Sequence, residues 1–496
     1  MRPPRVGRVF YAALLGATAL GVASCRLKVE SEPDSGRGGM GMSAGTGGAG
    51  ARLGGALGGS NVPACTGLRC QQTICVGPGC LALPCTGGAT TSLSGKVYDP
   101  AGRVSLSGVT VFVPNEALAP LTDGASCLPC ATATSGDPVA EGSTDAHGAF
   151  KLDNVPVGAN IPLVMQVGKW RRQVTIPTVT ACVDNALTDP NVTRLPRKKA
   201  EGHIPKIALA TGGADALECL LRKIGVDDAE FTPEAGDGRV NLFAAGTDNG
   251  LPITDNGMTS TAGTNAYATL NGGAKFTDSE LWWDSVANLK KYDLLLYSCE
   301  GVESVANKSQ AARQAFLDYA NMGGRVFASH WHNQWIWNGV ASLPTVATFQ
   351  NAGDLANPAT VTIDTSFPKG MDLAAWLMNV GASTTMGELV IRGGKRTVSA
   401  VNAALAQRWI YSTSPPSVQY LSFNTPLAPP AGQAQCGKVV FSDLHVSAGS
   451  GAATDDDSDP KLPFPLGCRT TELSPQEKAL EFMLFDLSAC TQPGIP

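Results

Sequence analysis

Period-two alternation of apolar and polar positions dominates residues 91–198. In "VTVFVPN", Val109, Val111 and Val113 fall on one side and Thr110 and Phe112 on the other. "SGKVYDP", "GAFKLDNVPVG" and "NIPLVMQVGKWRRQVTIP" repeat the pattern, with Gly, Pro, Asn and Asp between the runs. Successive side chains of a strand point to opposite faces, and those four residue types favour turns. The segment is therefore predicted to be an all-β sandwich of short strands.

Near residue 200 the pattern changes. "IPKIALA" predicts an apolar strand, and in "TGGADALECLLRKIG" Ala216, Leu217, Leu220, Leu221 and Ile224 share one helical face. "RVNLFAA" predicts a second strand, followed by a Gly/Thr/Asn-rich insertion up to about Phe276. "SELWWDSVANLKKY" predicts a helix, "DLLLYSCEG" a buried strand, "SQAARQAFLDYANMGG" a helix with a glycine stop, and "RVFASHWHN" the next strand. Such alternation implies right-handed crossovers and a mostly parallel sheet, so residues 203–490 are expected to form an α/β domain. After the N-terminal segments about 400 residues remain, more than one core usually serves, and a multidomain chain follows.

The first 62 residues do not read as fold. Arg2, Arg5 and Arg8 precede the apolar run "VFYAALLGATALGVAS", which is short for a membrane span and reads as an export signal. It ends in "VASC", which resembles the bacterial lipobox; that resemblance implies lipidation at Cys25, with residues 1–25 as signal peptide. Ordinary signal cleavage, leaving Cys25 as one more thiol, is the alternative. Residues 26–62 are rich in Gly, Ser and Ala and have almost nothing to bury, so they are expected to be a disordered tether. The chain is therefore expected in the cell envelope, an outer-membrane or surface-exposed lipoprotein held to a membrane by its lipid.

Fourteen cysteines gain meaning in that compartment. In the Cys-rich segment 63–90, Cys65, Cys70, Cys75, Cys80 and Cys85 are evenly spaced. Outside the cytoplasm such cysteines pair as disulfides; a zinc knuckle would favour tighter pairs and a histidine, and none is near. Discounting Cys25 leaves an odd number, so at least one thiol is free or bonded to another chain. Cys127 and Cys130 form a C-x-x-C with no following helix, which favours a structural bridge, with Cys182 as a candidate partner, over a redox pair. The net charge of −5 is small, and no basic patch suggests nucleic acid. The acidic run 454–460, "TDDDSDP", has only part of the alternation a calcium loop needs, and a solvated loop is the simpler reading.

Two family resemblances add expectations. "GKVYDPAG" and "TDAHGAFKLDNVPVG", with Asp145, Gly148 and Phe150, resemble the carboxypeptidase regulatory-like family, a transthyretin-like β-sandwich; this implies a spacer or binding module over residues 91–198. The run through "GGRVFASHWHN" and the late strand "GKVVFSDLHVS" resemble the class I glutamine amidotransferase-like fold, closest to its ThuA-like branch, associated with carbohydrate utilisation. That implies a flavodoxin-like sheet over residues 203–490, with histidines ending two strands. The departure from the family is at the elbow, Ser329-His330-Trp331, where a glutaminase needs a cysteine nucleophile. Glutamine amidotransferase activity is therefore not expected, and "ASHWH" also lacks the glycines that flank a serine nucleophile.

Ligands of doubly wound sheets bind beyond the carboxyl ends of strands. There the sequence places Cys299 with Glu300, His330 with His332, and Asp443 with His445. The expected catalytic set is His330 as centre, His445 as acid–base partner, and Asp443 or Glu300 as orienting carboxylate. Cys299, His332, Trp331 and Trp335 are the expected ligand-binding residues, the tryptophans suiting sugar rings by stacking. His330, His332 and His445 are the candidate metal ligands, zinc being the candidate ion. The bland alternative is that the histidines bond backbone in a satisfied core and the tryptophans pack under loops. The expected function is capture or processing of carbohydrate or another envelope ligand, with hydrolase-like chemistry if any. An inert adhesion or structural lipoprotein is the alternative, with a glycan or an envelope protein as partner.

Overall fold

Seven strands make the N-terminal β part of this computed structural model: β1 (Ser92–Lys96), β2 (Thr110–Pro114), β3 (Pro138–Ser143), β4 (Ala149–Asp153), β5 (Gly158–Val167), β6 (Trp170–Val179) and β7 (Asp184–Leu187). They form two sheets, ordered β4-β1-β7 and β3-β2-β5-β6. Val109, Val111 and Val113 are buried with Leu93, Leu152, Leu163 and Met165. Phe112, on the opposite side of β2, is buried as well, so the alternation marks two covered faces at that position rather than one wet face. The structure describes residues 64–491 except 81–83, 131–132, 213, 446–463, 465–467, 469–471 and much of 249–275. The "VASC" motif with Cys25, the stretch 26–62 and the acidic run 454–460 lie outside the described residues.

The chain continues through α1 (Pro190–Thr193), β8 (Ile207–Thr211), α2 (Leu217–Lys223), β9 (Phe231–Pro233) and β10 (Val240–Ala244). Four two-residue strands follow, β11 (Thr247–Asp248), β12 (Leu251–Pro252), β13 (Thr254–Asp255) and β14 (Met258–Thr259). Then come α3 (Ser279–Trp283), α4 (Val286–Leu289), β15 (Leu294–Tyr297), α5 (Gln310–Asn321), β16 (Arg325–Ser329), α6 (Gln334–Trp337), β17 (Ala347–Ala352) and β18 (Ala359–Ile363). The last elements are α7 (Pro368–Asn379), β19 (Glu388–Ile391), β20 (Arg396–Val401), β21 (Gln407–Thr413), β22 (Pro416–Thr425), β23 (Gly437–Ser442) and α8 (Pro475–Ser488).

Ten of these strands build one sheet, ordered β19-β18-β21-β22-β23-β16-β15-β8-β10-β9. From β9 to β23 every pairing is parallel. From β23 to β19 every pairing is antiparallel. The expected mostly parallel sheet is thus the six strands from β9 to β23, and the other four are an antiparallel extension. The connections from β21 to β22 and from β22 to β23 are too short for a crossover, which leaves only antiparallel pairing. β8, β15 and β16 are buried along their whole length, as parallel strands covered on both faces must be.

Helix ends follow local chemistry. Ser309 caps α5 by accepting from the Ala312 N–H, and Gly323 (φ 107°) follows that helix in a conformation L side chains avoid. α8 opens with a reciprocal Ser474–Glu477 capping box. The single helix expected over "SELWWDSVANLKKY" is instead two, because Ser285 is extended (φ −132°, ψ 119°) and starts α4 afresh.

The β part and the α/β part share one core. Trp170, at the start of β6, is buried and meets Phe485 of α8 edge-on at 5.7 Å. The Gly168 turn between β5 and β6 abuts the Ser488 carbonyl so closely that a Cβ would collide, and its φ of 55° also favours glycine. Disulfides Cys127–Cys436 and Cys130–Cys490 tie the two parts together. Cys85 bonds Cys182, so the bridge considered between the C-x-x-C and Cys182 does not form. Those partners lie 309 and 360 residues downstream, beyond the reach of spacing arguments. Cys65–Cys70, Cys75–Cys80 and Cys219–Cys468 complete the set, and Cys299 is the free cysteine among the described residues. Asn61–Pro496 is one compact unit. No helix among the described residues is long and apolar enough to cross a membrane.

Candidate functional site

β15, β16 and β23 are neighbours in the parallel half of the sheet, in the order β23-β16-β15. Their registers align Tyr297 with Ala328, and Ser329 with Ser442, so the three strands end nearly together. Cys299, His330 and His445 follow those ends within a few residues. Topology alone therefore brings to one sheet edge three side chains separated by 31 and 115 residues.

The turn at the end of β16 is strained. His330 has φ 41°, in the left-handed region that a bulky side chain rarely adopts, and the chain passes directly from strand into a short 3-10 helix over His330–Asn333. Strain of this kind, worth roughly 1–3 kcal/mol, persists where surrounding contacts over-determine the backbone, and it clusters at functional sites. One such contact is immediate: the buried Ser329 hydroxyl donates to Asp215 Oδ2 at 2.6 Å. That bond occupies the hydroxyl that a serine nucleophile would need.

His330 Nδ1 lies 3.3 Å from Cys299 Sγ and 3.2 Å from His445 Nε2. Cys299 and His330 are buried and His445 is half-buried. The Gly301 N–H points at Cys299 Sγ from 3.5 Å, and the Trp331 backbone N–H also faces that sulfur. Beside the cluster is a cavity of about 260 Å³, walled by Trp331, Asn351, Asp354, Lys395 and Thr397. Lys395 Nζ pairs with Asp354 at 2.8 Å in that wall. The Trp331 ring tilts over His330 with centroids 4.4 Å apart.

Burial sets the protonation. It pushes the Cys299 thiol up to about 12. It depresses His445 to about 3 and, with the neighbouring His445, holds His330 well below the usual imidazole range. At neutral pH the cluster is therefore a neutral thiol and two neutral imidazoles, with His330 Nδ1 in the middle. Neutral imidazoles offer free lone pairs, suited to accepting a proton or holding a cation.

The other expected residues divide. Trp331 is at the cavity. His332 faces away from it: its Nε2 meets the Ser298 carbonyl at 2.9 Å, and its Nδ1 accepts from Trp335 Nε1 at 2.9 Å. Both ring nitrogens are satisfied and burial depresses its pKa to about 3, which makes it a core histidine and not a ligand beside His330. Trp335 is likewise in the core, stacked on Phe316 at 5.6 Å and edge-on to Trp283 at 5.0 Å, where no sugar ring could reach its faces. Glu300 is buried against Lys308 Nζ at 2.8 Å and does not orient His445. Burial would raise its carboxyl, but Lys308 and His332 hold it below the usual range. Asp443 accepts from the Thr397 hydroxyl at 2.7 Å and the Thr397 N–H at 2.8 Å, while its carbonyl accepts from the Lys395 N–H at 3.0 Å. It pins the 395–397 segment, the cavity wall, instead of orienting an imidazole. Burial lifts the Asp443 carboxyl to about 7 despite those hydrogen bonds.

Lys395, Asp354, Thr397 and Asp215 were not legible as site residues. Lys395 and Thr397 enter from the start of β20, which belongs to a small separate sheet with β17. No periodicity or spacing in "IRGGKRTVSA" marks that segment as a cavity wall.

No protein-family model and no curated protein matches the chain. Among solved structures the chain is similar to two type II cohesin–X-dockerin complexes of Acetivibrio cellulolyticus. For a C-terminal interface mutant the identity is 15%, over 30% of this chain and 79% of that one, with a TM-score of 0.15. For an N-terminal interface mutant the identity is again 15%, over 28% and 85%, with a TM-score of 0.16. Likeness at that level carries no argument about this chain.

Proposed function

We propose that this chain is an exported, lipid-anchored protein of the bacterial envelope that captures or processes carbohydrate, or a related envelope ligand, in the cleft beside His330. The observation that carries the reading is the meeting of Cys299, His330 and His445 at the ends of three adjacent parallel strands, on a strained elbow, beside a cavity of about 260 Å³. A cavity of that size accommodates a sugar ring, and Trp331 supplies an aromatic group beside polar ones, as sugar binding requires. Six disulfides accord with an extracytoplasmic protein. The resemblance of residues 203–490 to the ThuA-like branch supports a carbohydrate ligand. That of residues 91–198 to the carboxypeptidase regulatory-like family supports a spacer that presents the cleft. No glutaminase chemistry belongs to this reading, because the elbow carries His330 where a nucleophilic cysteine would stand.

A glycan array probed with the full chain tests it. Retention of a defined class of glycans, lost in His330→Ala, is the expected result. An array that retains nothing, or binding indifferent to His330→Ala, overturns it. The structural alternative draws on the disulfide-locked joint between the two parts, and a silent array would favour it.

A further inference from the structure

The contacts around His330 Nδ1 compete for one nitrogen and have ligand spacings. A neutral imidazole nitrogen has either one proton or one lone pair. His330 Nδ1 has two close neighbours, Cys299 Sγ at 3.3 Å and His445 Nε2 at 3.2 Å, so a single proton or lone pair must serve both. The three donor atoms lie within 4.8 Å of one another. In a tetrahedral zinc site, bond lengths near 2.0 Å to nitrogen and 2.3 Å to sulfur put ligand atoms about 3.3 Å apart for two nitrogens and about 3.5 Å for nitrogen and sulfur. The two spacings from His330 Nδ1 lie close to those edges.

We propose that Cys299, His330 and His445 bind a single zinc ion whose fourth position faces the cavity walled by Trp331, Asn351, Asp354 and Lys395. The proposal rests on the reading of this cleft as the functional site and names the ion that works there. One thiolate and two imidazoles are a borderline-soft donor set, suited to zinc rather than to calcium or magnesium. The thiol proton leaves to solvent as the sulfur–metal bond forms. The Gly301 and Trp331 N–H groups aimed at Sγ stabilise a thiolate there. The buried Asp215 carboxylate places negative charge near the sulfur, which favours a cation, whereas the charge of Glu300 is met by Lys308. Lys395 opposes it, but its ammonium is paired with Asp354. Three protein ligands and an open fourth position are the arrangement of a zinc ion that activates water, not of one that only holds a fold. The other sulfur-rich cluster, Cys65, Cys75 and Cys80, offers no comparable site, since its sulfurs are in disulfides.

The full chain, stripped with a chelator, is titrated with zinc and separately with cobalt(II), with no carbohydrate present. One equivalent of zinc should bind per chain. Cobalt should give the visible bands of a four-coordinate ion and a near-ultraviolet thiolate-to-metal band. Cys299→Ser should lose the thiolate band, His445→Ala should weaken binding at least ~10-fold, and His147→Ala, at an exposed position between β3 and β4, should change neither. No stoichiometric binding, or no thiolate band in the unmutated chain, overturns the proposal. The unmutated chain decides these points, so a variant that misfolds does not leave the question open. Because no sugar enters the assay, failure here leaves the carbohydrate reading standing, and a silent glycan array leaves the metal site standing.

Discussion

His330 Nδ1 and His445 Nε2 lie 3.2 Å apart across 115 residues of sequence, while His332, two residues from His330, is locked into the core. The three histidines therefore answer differently to substitution. His332→Ala removes the partner of Trp335 Nε1 and of the Ser298 carbonyl. Leaving such buried groups unpaired costs about 1–3 kcal/mol, so its melting temperature should fall by several degrees. His330→Ala and His445→Ala should abolish ligand or metal binding with a much smaller shift, since each releases few satisfied hydrogen bonds. Calorimetric melts of the three variants check this. Equal destabilisation by all three would make the pair structural.

Asp443 should act on the cleft at one remove. Asp443→Ala frees the Thr397 hydroxyl and N–H, at a cost of about 1–3 kcal/mol, and loosens the wall that carries Lys395. Ligand binding should weaken while the His330–His445 pair stays in place. Denaturant melts alongside binding titrations separate this from a direct role, which would abolish binding without loss of stability.

Stability should fall as pH rises through neutrality. Asp99 and Glu481 are both fully buried. Asp99 Oδ2 and both Glu481 carboxyl oxygens have no hydrogen-bond partner. Burial lifts Asp99 to about 7, and burial together with the Asp99 charge lifts Glu481 well above its ordinary value. A folded-state pKa raised above the unfolded one stabilises fully below the unfolded value, near 4, and that contribution is lost as pH climbs through the folded value. The depressed histidines His330, His332 and His445 act in the opposite sense up to about pH 6.5, so the carboxylates are read by difference: the melting temperature of Glu481→Gln relative to the unmutated chain should rise from pH 5 to pH 8. A difference that stays flat over that range would contradict the assignment.

Trypsin should nick the chain without dividing it. Arg197, Lys198 and Lys199 are exposed, although Arg194 grips Glu201 at 2.7 and 2.9 Å and the Lys199 N–H donates to Glu230. Cleavage there leaves both halves joined through Cys127–Cys436 and Cys130–Cys490. The nicked protein should run as one species on a non-reducing gel and as two after reduction. Separation without reductant would mean those bridges are absent.

Thiol counting tests export and lipidation together. With Cys25 acylated and six disulfides formed, the denatured, non-reduced chain should show a single free thiol, Cys299. Cys25→Ser should abolish lipid labelling. Several reactive thiols among Cys65–Cys85 would argue against the oxidised state.

Local structure was legible in the residue pattern. Val109, Val111 and Val113 alternate because a strand turns successive side chains to opposite faces, and Leu217, Leu220, Leu221 and Ile224 recur because a helix returns every three to four residues. Those periods separate the β part from the α/β part and place Cys299, His330 and His445 near the ends of three strands. Which of them meet was not legible there. Strand order and register put His330 against His445, and one short helical turn was enough to send His332 and Trp335 into the aromatic core. The same holds for the cysteines: odd parity called for an unpaired thiol, but proximity chose Cys299 and joined Cys127 and Cys130 to the far end of the chain. A side chain's direction at a strand end depends on backbone angles and on packing from distant elements, such as Asp215 beneath Ser329 and Thr397 against Asp443. Periodicity carries no information about contacts of that kind, because they are made between segments whose separation along the chain is unrelated to their separation in space.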